Sequence, residues 1–429
     1  MTDELIALLA GRAIGRIRRD RRGQLAFTYN EDWRIAPGAY PLSLSMPLVA
    51  AQHGHKPIDA FLWGLLPDNE RVLDRWARRF QVSARNAFAL IAHVGEDCAG
   101  AVQFVRPNRL DSLQGEGPSE IEWLDEAGVA ERLRLLRADH AAWRSPHDTG
   151  QFSLAGAQPK TALLYENGRW GVPAGRTPTT HILKPPTGEF DGHAENEHIS
   201  MSLAHAMGLI TARSEVRRFE DEIAIVVERY DRRRTEVGIT RVHQEDICQA
   251  LAIPPTSKYE NEGGPGVRAI VELLRTVSGQ PQVDEGRFVD ALIFNWLIAG
   301  TDAHAKNYSM LIGTGGRARL APLYDIASAL PYETFDPHKL KLAMKIGGEY
   351  RIRDISARQW RKLAEDIRTD PGAIVGRAIA LAEMLPDHIA DVRRRAEIDG
   401  LDHPLTERFA AAVSARARRC ASSASSAAQ

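Results

Sequence analysis

The stretch ALIFNWLIAGTDAHAKNYSMLIG, residues 291–313, limits the fold more than any other part of the chain. Two strongly apolar runs demand burial, so the polar octet GTDAHAKN between them has to sit at the margin of a core. An Asp, a His, a Lys and an Asn fall within six positions there. Such a cluster is either a polar turn capping a helix or a place where charge is handled for a reaction. The spacing Asp302-x-x-x-x-Asn307 equals that of a kinase catalytic loop, in which the Asp receives or orients the attacking hydroxyl and the Asn ligates Mg²⁺ through its amide oxygen.

The rest of the chain narrows the class. Its 429 residues allow two or three domains, and 44% hydrophobic with 26% charged residues is ordinary for a globular protein. A formal charge of −1 gives no sign of a chain built to coat nucleic acid or an anionic membrane, and it leaves room for a local basic face. The longest apolar runs fall short of the ~18–20 residues of a spanning helix, so no membrane partner is expected. The N-terminal stretch MTDELIALLAGRAIGRIRRDRRG places acids before the apolar part and basic residues after it, the reverse of a secretory leader. Cys98, Cys248 and Cys420 share no short spacing, which argues against a disulfide framework and a Cys-based zinc site. A cytoplasmic location is expected.

Periodicity predicts a strand pair over 12–30 turning near Gly23, a helix from Ile58 to Leu66, and a basic helix capped by Asp68 that runs to Phe80. A strand at Ala101–Val105 precedes RPNRLDSLQGEGPSE, a polar Gly- and Pro-bearing boundary. Strand-like segments follow at Phe152–Leu154, Thr161–Tyr165, Thr180–Leu183 and Ile223–Val227. A helix is expected over Ala194–Met207 with Gly208 as its stop, and another begins at EDICQALA. Short strands are expected at Tyr308–Ile312 and Leu320–Tyr324 within an otherwise helical second half. The expected organisation is an N-terminal subdomain at 1–110, a strand-rich region at 111–240, a helical region at 241–415 and a disordered, low-complexity tail at 416–429.

Three further segments add chemistry. LAPLYDIAS places Asp325 eighteen positions after Asn307, where a hairpin would bring the two together; one or two carboxylates suit Mg²⁺. AGAQPK, between two strand-like halves, is a small-residue turn whose N–H groups can cradle phosphate, or else an ordinary hairpin. THILKPP ends a strand with Lys184, and AENEHISMSLAHAMG offers Glu197 on a helix as its partner. Small-residue turn, Lys, helical Glu, hinge-like strand, D-x-x-x-x-N and metal Asp is the running order of a protein-kinase fold.

With FSLAGAQPKTALL, TPTTHILKPP, ENEHISMSLAHAMGL, VERYDRR, QEDICQAL, KYENEGGPG, NWLIAGTDAHAKNYS, LAPLYDIASALP and LKLAMKIGG, the sequence resembles the HipA family, kinase toxins of bacterial toxin–antitoxin pairs. SLSMPL and GLLPDNERVLDRWARRF resemble that family's N-terminal segment. The resemblance implies an α+β, two-lobed protein-kinase-like fold with a strand-rich N-terminal and a helix-rich C-terminal lobe. It also implies ATP with Mg²⁺, and phosphoryl transfer to a serine or threonine of a protein, typically an aminoacyl-tRNA synthetase.

Position by position, it makes Ala155, Gly156, Ala157, Gln158 and Lys160 the phosphate loop and Lys184 a phosphate-holding catalytic lysine. It makes Glu228, Arg229 and Tyr230 the hinge at adenine. Asp302 becomes the catalytic base, Asn307 and Asp325 the metal ligands, and His304, Lys306 and Tyr324 neighbours of the nucleotide. Ser153 becomes the autophosphorylated serine whose modification expels the phosphate loop. A helix-turn-helix antitoxin of HipB type is the implied partner, with DNA reached only through it. Pro159 stands where many relatives have Glu, removing a charge and one backbone donor beside the phosphates. Two other functions share these features: a degenerate kinase fold acting as corepressor with a DNA-binding antitoxin, and a small-molecule kinase. His243, Gln244, Glu245 and Asp246 lack a second His or Cys at ligand spacing, so they are expected to form a polar network rather than a metal cluster.

Overall fold

The computed structural model of the protein describes residues 3–114, 120–143, 152–186, 188, 190–236 and 238–426. It divides into two compact units, each assembled from separate stretches of chain. The first comprises Met1–Pro185, Arg217–Thr256 and Ser309–Ala318; the second comprises Pro186–Val216, Ser257–Tyr308 and Arg319–Gln429.

The first unit begins with β1 (Asp3–Leu9), β2 (Arg12–Arg19) and β3 (Leu25–Tyr29). Ala10 and Gly11, at φ of 50° and 75°, make the two-residue turn whose twist matches an antiparallel hairpin. With β4 (Gln52–His53) and β5 (Val102–Val105) they form a sheet in the order β4–β3–β2–β1–β5. Helices His55–Leu65 and Ala87–Val94 bury Phe61, Leu62, Leu90 and Ile91 in its core. The basic helix runs from Glu70 to Phe80, but its cap is Asn69, whose side chain accepts from the Arg71 N–H at 3.0 Å; Asp68 lies one residue outside.

The same core takes in Trp143, Phe152 and Leu154, so the chain leading into AGAQPK is anchored among the N-terminal residues. Phe152 makes only an isolated bridge to Asp97, not the expected strand. The second sheet contains β6 (Ile121–Leu124), β7 (Thr161–Glu166), β8 (Arg169–Pro173), β9 (His181–Lys184), β10 (Ser214–Phe219) and β11 (Glu222–Glu228). Their order is β10–β11–β9–β7–β8–β6. Beyond it come the hairpin β12 (Arg232–Thr235) and β13 (Gly238–Arg241), then β14 (His243–Asp246) paired with β15 (Ser309–Ile312). EDICQALA yields a single helical turn, Ile247–Ala250, closed by a capping box between Asp246 and Gln249.

The second unit is helical. Helix His193–Ala206 ends before Gly208, which takes a left-handed φ of 88°. Helix Pro281–Ile298 is buried along most of its length, and Trp296 meets Trp360 edge to face at 5.5 Å. The chain pairs as a strand only to Leu320; residues 321–324 are irregular, with a lone bridge between Thr211 and Leu323. Helices Pro371–Ile398 and Pro404–Ser426 complete the unit.

The disordered tail expected at 416–429 is therefore corrected: the last helix continues through Ser426, and 427–429 lie outside the described residues. Phe409, Val413, Ala417 and Cys420 recur at helical spacing and are buried. Arg416 also donates through Nε and Nη2 to the Trp296 carbonyl at 3.1 and 3.0 Å, close to the C-terminus of its helix. Among the described residues no helix is long and apolar enough to cross a membrane.

Candidate active site

In the first unit, residues 155–160 form a turn between Leu154 and β7. Gly156 holds φ at 101°, a conformation that side-chain-bearing residues rarely adopt, so the backbone here requires glycine. Asp68 N–H donates to the Gly156 carbonyl at 3.0 Å and Asn69 Nδ2 to the Ala157 carbonyl at 3.3 Å. Lys160 is buried; its Nζ donates to the Ala155 carbonyl at 2.8 Å and lies 5.4 Å from the centre of the Trp143 ring. Lys184 ends β9 opposite Ile225, and Glu228 lies opposite His181 and is exposed. Gln158 is half-buried. Ser153 is wholly buried: its N–H donates to the Asp97 carbonyl at 3.0 Å and its Oγ to the Leu65 carbonyl at 2.7 Å.

The hinge residues divide. Tyr230 is half-buried, and its hydroxyl bonds to Gln244 Oε1. Burial, reinforced by Asp231, pushes its phenol above the ordinary range. The Arg229 side chain turns into the protein. Its guanidinium is 2% exposed and donates to Asp231 (3.0 and 2.9 Å), to Thr179 Oγ1 (2.8 Å) and to the Cys98 carbonyl (2.8 Å). Its N–H is taken by the Thr180 carbonyl at 2.9 Å. A guanidinium removed from water needs paired carboxylates, and here they come from Asp231 and, at 3.5 Å, Asp97.

His243, Gln244, Glu245 and Asp246 serve structure. His243 Nε2 meets the Leu42 carbonyl at 2.8 Å, and burial drives its imidazole down to about 4. Glu245 accepts the Leu44 N–H at 2.7 Å, and burial pushes its carboxyl up to about 8. Among the described residues no group of three or more His, Cys, Asp or Glu is placed to hold a metal.

In the second unit the octet closes helix Pro281–Ile298. Ala299 turns left-handed, and a Cβ on Gly300 would fall 2.1 Å from Asn295 Oδ1. The loop is then stitched together by His304 N–H to the Asp302 carbonyl at 2.8 Å, Ala305 N–H to the Lys258 carbonyl at 3.2 Å and Asn307 N–H to the His304 carbonyl at 2.9 Å. His304, Lys306 and Asn307 are buried, whereas the Asp302 carboxylate is 66% exposed. That carboxylate accepts a hydrogen bond from the Tyr259 hydroxyl and lies 3.9 Å from His304 Nε2. The His304 ring stands edge-on to Tyr259 at 4.9 Å. Asn307 Nδ2 donates to the Asp302 carbonyl at 2.8 Å, which commits the NH₂ end of the amide to the loop's own backbone.

Tyr324 donates its hydroxyl to the Lys306 carbonyl at 2.7 Å, tying the segment of Asp325 to this loop. Asp325 is half-buried and held at a φ of 58°, a left-handed conformation that a non-glycine residue adopts at a cost. Asn196 fixes the segment from the far side, donating to the Ser328 carbonyl at 2.8 Å and accepting the Ser328 N–H at 3.0 Å. The second unit thus gathers Asp302, His304, Lys306, Asn307 and Tyr324 around one loop and clamps the backbone on either side of Asp325. Glu197 lies buried on helix His193–Ala206.

Sequence reasoning missed Tyr259 and Asn196. KYENEGGPG held the first signal: the Gly264 N–H donates to the Tyr259 carbonyl at 2.9 Å, and a Cβ on Gly264 would lie 2.3 Å from the Ser257 carbonyl oxygen, so the motif's glycine is needed for the turn that presents Tyr259. An amide oxygen and a carboxylate are the hard donors that suit Mg²⁺, so Asn307 and Asp325 fit that ion chemically.

The comparisons with known proteins point one way. Residues 152–394 match the family described as HipA-like C-terminal domain, and residues 5–105 match HipA N-terminal domain. The chain is 37% identical over 417 residues to "Putative kinase Y4mE" of Sinorhizobium fredii, covering 95% of this chain and 96% of that protein. It is 31% identical over 381 residues to the serine/threonine-protein kinase toxin HipA of Shewanella oneidensis, covering 86% and 84%. Among solved structures, a complex of Shewanella oneidensis HipA, HipB and operator DNA matches with a TM-score of 0.84 at 27% identity over 98% of both chains.

Proposed function

The chain belongs to the HipA family, and from that premise we propose that it is a Mg·ATP-dependent serine/threonine protein kinase, the toxin of a toxin–antitoxin pair. The observation that carries this reading is the loop at 300–307: an exposed Asp302 carboxylate on a buried, internally bonded loop, with the Asn307 amide nitrogen tied to the Asp302 carbonyl. Buried scaffolding beneath an accessible carboxylate is what a general base requires, because its position must not change when substrate arrives.

In this reading Asp302 accepts the proton of the target hydroxyl as that oxygen bonds to the γ-phosphorus and the bond to the departing ADP oxygen breaks. Tyr259 keeps the carboxylate aimed, and His304 supports the tyrosine ring. The backbone of 155–160 and Lys184 would hold phosphate oxygens, and Asn307 and Asp325 would supply oxygen ligands. Bound Mg²⁺ would neutralise charge on the transferred group. Autophosphorylation at Ser153 requires this segment to leave, since its hydroxyl is buried against the Leu65 carbonyl; that fits expulsion of the phosphate loop. A HipB-type antitoxin is the proposed partner, because the Shewanella oneidensis relative was solved with HipB and operator DNA. An aminoacyl-tRNA synthetase is the proposed target class.

Intact-mass analysis of phosphatase-treated protein after incubation with Mg·ATP, beside Asp302→Asn, tests the reading. A phosphoryl gain on the parent alone, mapped to Ser153, is expected. Equal gain on both proteins would remove Asp302 as the base. Absence of both gain and ATP binding would leave the corepressor reading.

A further inference from the structure

We infer that Asp97, a residue of the N-terminal segment, is the positioning residue that holds the nucleotide-binding arms of the first unit in register. The inference rests on the kinase reading for what those arms bind. Asp97 is buried at the end of the loop after helix Ala87–Val94. Its Oδ2 accepts the Thr179 N–H at 3.1 Å and the Thr179 hydroxyl at 2.7 Å, with Arg229 Nη1 at 3.5 Å. Its Oδ1 accepts Arg232 Nη2 at 2.9 Å and Arg241 Nε and Nη2 at 3.3 and 3.2 Å. Its main-chain carbonyl takes the Ser153 N–H.

One residue therefore grips the start of the strand that ends in Lys184, the hinge after β11 and the segment that enters the phosphate loop. Asp231 completes the cluster by accepting the Gly100 N–H at 2.6 Å, a second tie from the same N-terminal loop. Nothing in the proposed chemistry uses these charges, and burying this many ionised groups is poorly rewarded as stability alone. What such a cluster does well is fix one geometry, since every donor has a directional partner. Both Asp97 oxygens face only donors. An asparagine must turn its NH₂ against an arginine or against Thr179, so this near-isosteric change disturbs the arms without emptying the site.

The test is Mg·ATP affinity by titration calorimetry on the full chain, at a temperature where circular dichroism shows each protein folded. Four proteins are compared: parent, Asp97→Asn, Thr179→Val and Glu96→Gln. Glu96 is the control, a buried neighbouring carboxylate that pairs with Arg109 and touches none of the arms. Asp97→Asn is expected to weaken ATP binding on the order of 10- to 100-fold, as misplacement of binding groups does, and Thr179→Val in the same direction. Autophosphorylation should be regained at saturating ATP, and Glu96→Gln should bind as the parent does. A folded Asp97→Asn protein with parental affinity, or equal weakening by Glu96→Gln, overturns the inference. If Asp97→Asn does not fold, parental affinity in Thr179→Val overturns it. A parent that binds no ATP instead sinks the kinase reading, which keeps the two failures apart.

Discussion

Asp302 shows how little of a residue's function lies in its own identity. Its carboxylate is exposed, and its direction comes from a tyrosine forty-three positions earlier. Removing that hydroxyl leaves the carboxylate free to rotate, so Tyr259→Phe should lower kcat roughly 3- to 30-fold, the equivalent of one hydrogen bond to a charged group. KM for ATP should hardly change. Steady-state kinetics decide this, and an unchanged kcat would mean that Asp302 needs no aiming. D-x-x-x-x-N was legible as a motif because its spacing lies within one short stretch of chain. Tyr259 was not, because a partner that arrives from another element leaves no spacing to read. Arg229 makes a related point: its place in VERYDRR says nothing of where its guanidinium goes, which is between Asp97, Asp231 and Thr179.

At the level of elements, alternation placed several strands to within a residue or two, among them β2, β3, β7, β9 and β11. The C-terminus was misjudged for a physical reason. Ala and Ser in SARARRCASSASSAAQ read as low complexity, yet a small-residue helix is stable once one face has a surface to cover. That face carries Phe409, Val413, Ala417 and Cys420, and Arg416 meets a carbonyl near the C-terminus of helix Pro281–Ile298, where a cation also complements the helix dipole. Arg416→Ala should cost about 1–2 kcal/mol, from the lost hydrogen bonds to Trp296 and the packing of its stem. Phe409→Ala, emptying a fully buried site, should cost about 3–5 kcal/mol. Urea unfolding would measure both; an Arg416→Ala midpoint equal to the parent's would show the last turns of this helix to be dispensable.

Across the molecule, each compact unit is assembled from distant stretches, and polar seams join them within a unit. In the first unit the loop PLSLSMP meets β14 through Glu245 and His243, while Ser45 Oγ donates to the Gln249 carbonyl at 3.0 Å. Burial holds the Glu245 carboxyl at about 8 against an ordinary 4.5, so the folded protein binds more protons than the unfolded chain between those values. The contribution of Glu245 is therefore complete below pH 4.5 and is lost as pH rises through about 8. Glu245→Gln removes this dependence. Its stability relative to the parent should climb between pH 5 and 9 by on the order of 2–4 kcal/mol. Denaturant unfolding of both proteins across that range checks it, and a difference that does not vary with pH would refute it. Taken by itself, the sequence determined the α+β class, several strands and helices, the family and the place of the D-x-x-x-x-N loop, because these depend on periodicity and short-range spacing. Only the tertiary structure decided which carboxylate neutralises which arginine, why Tyr259, Asn196 and Asp97 matter and that the last helix is ordered. Burial and charge pairing are settled by whichever segments fold back upon one another, and segments 43 to 144 residues apart keep no local pattern of it.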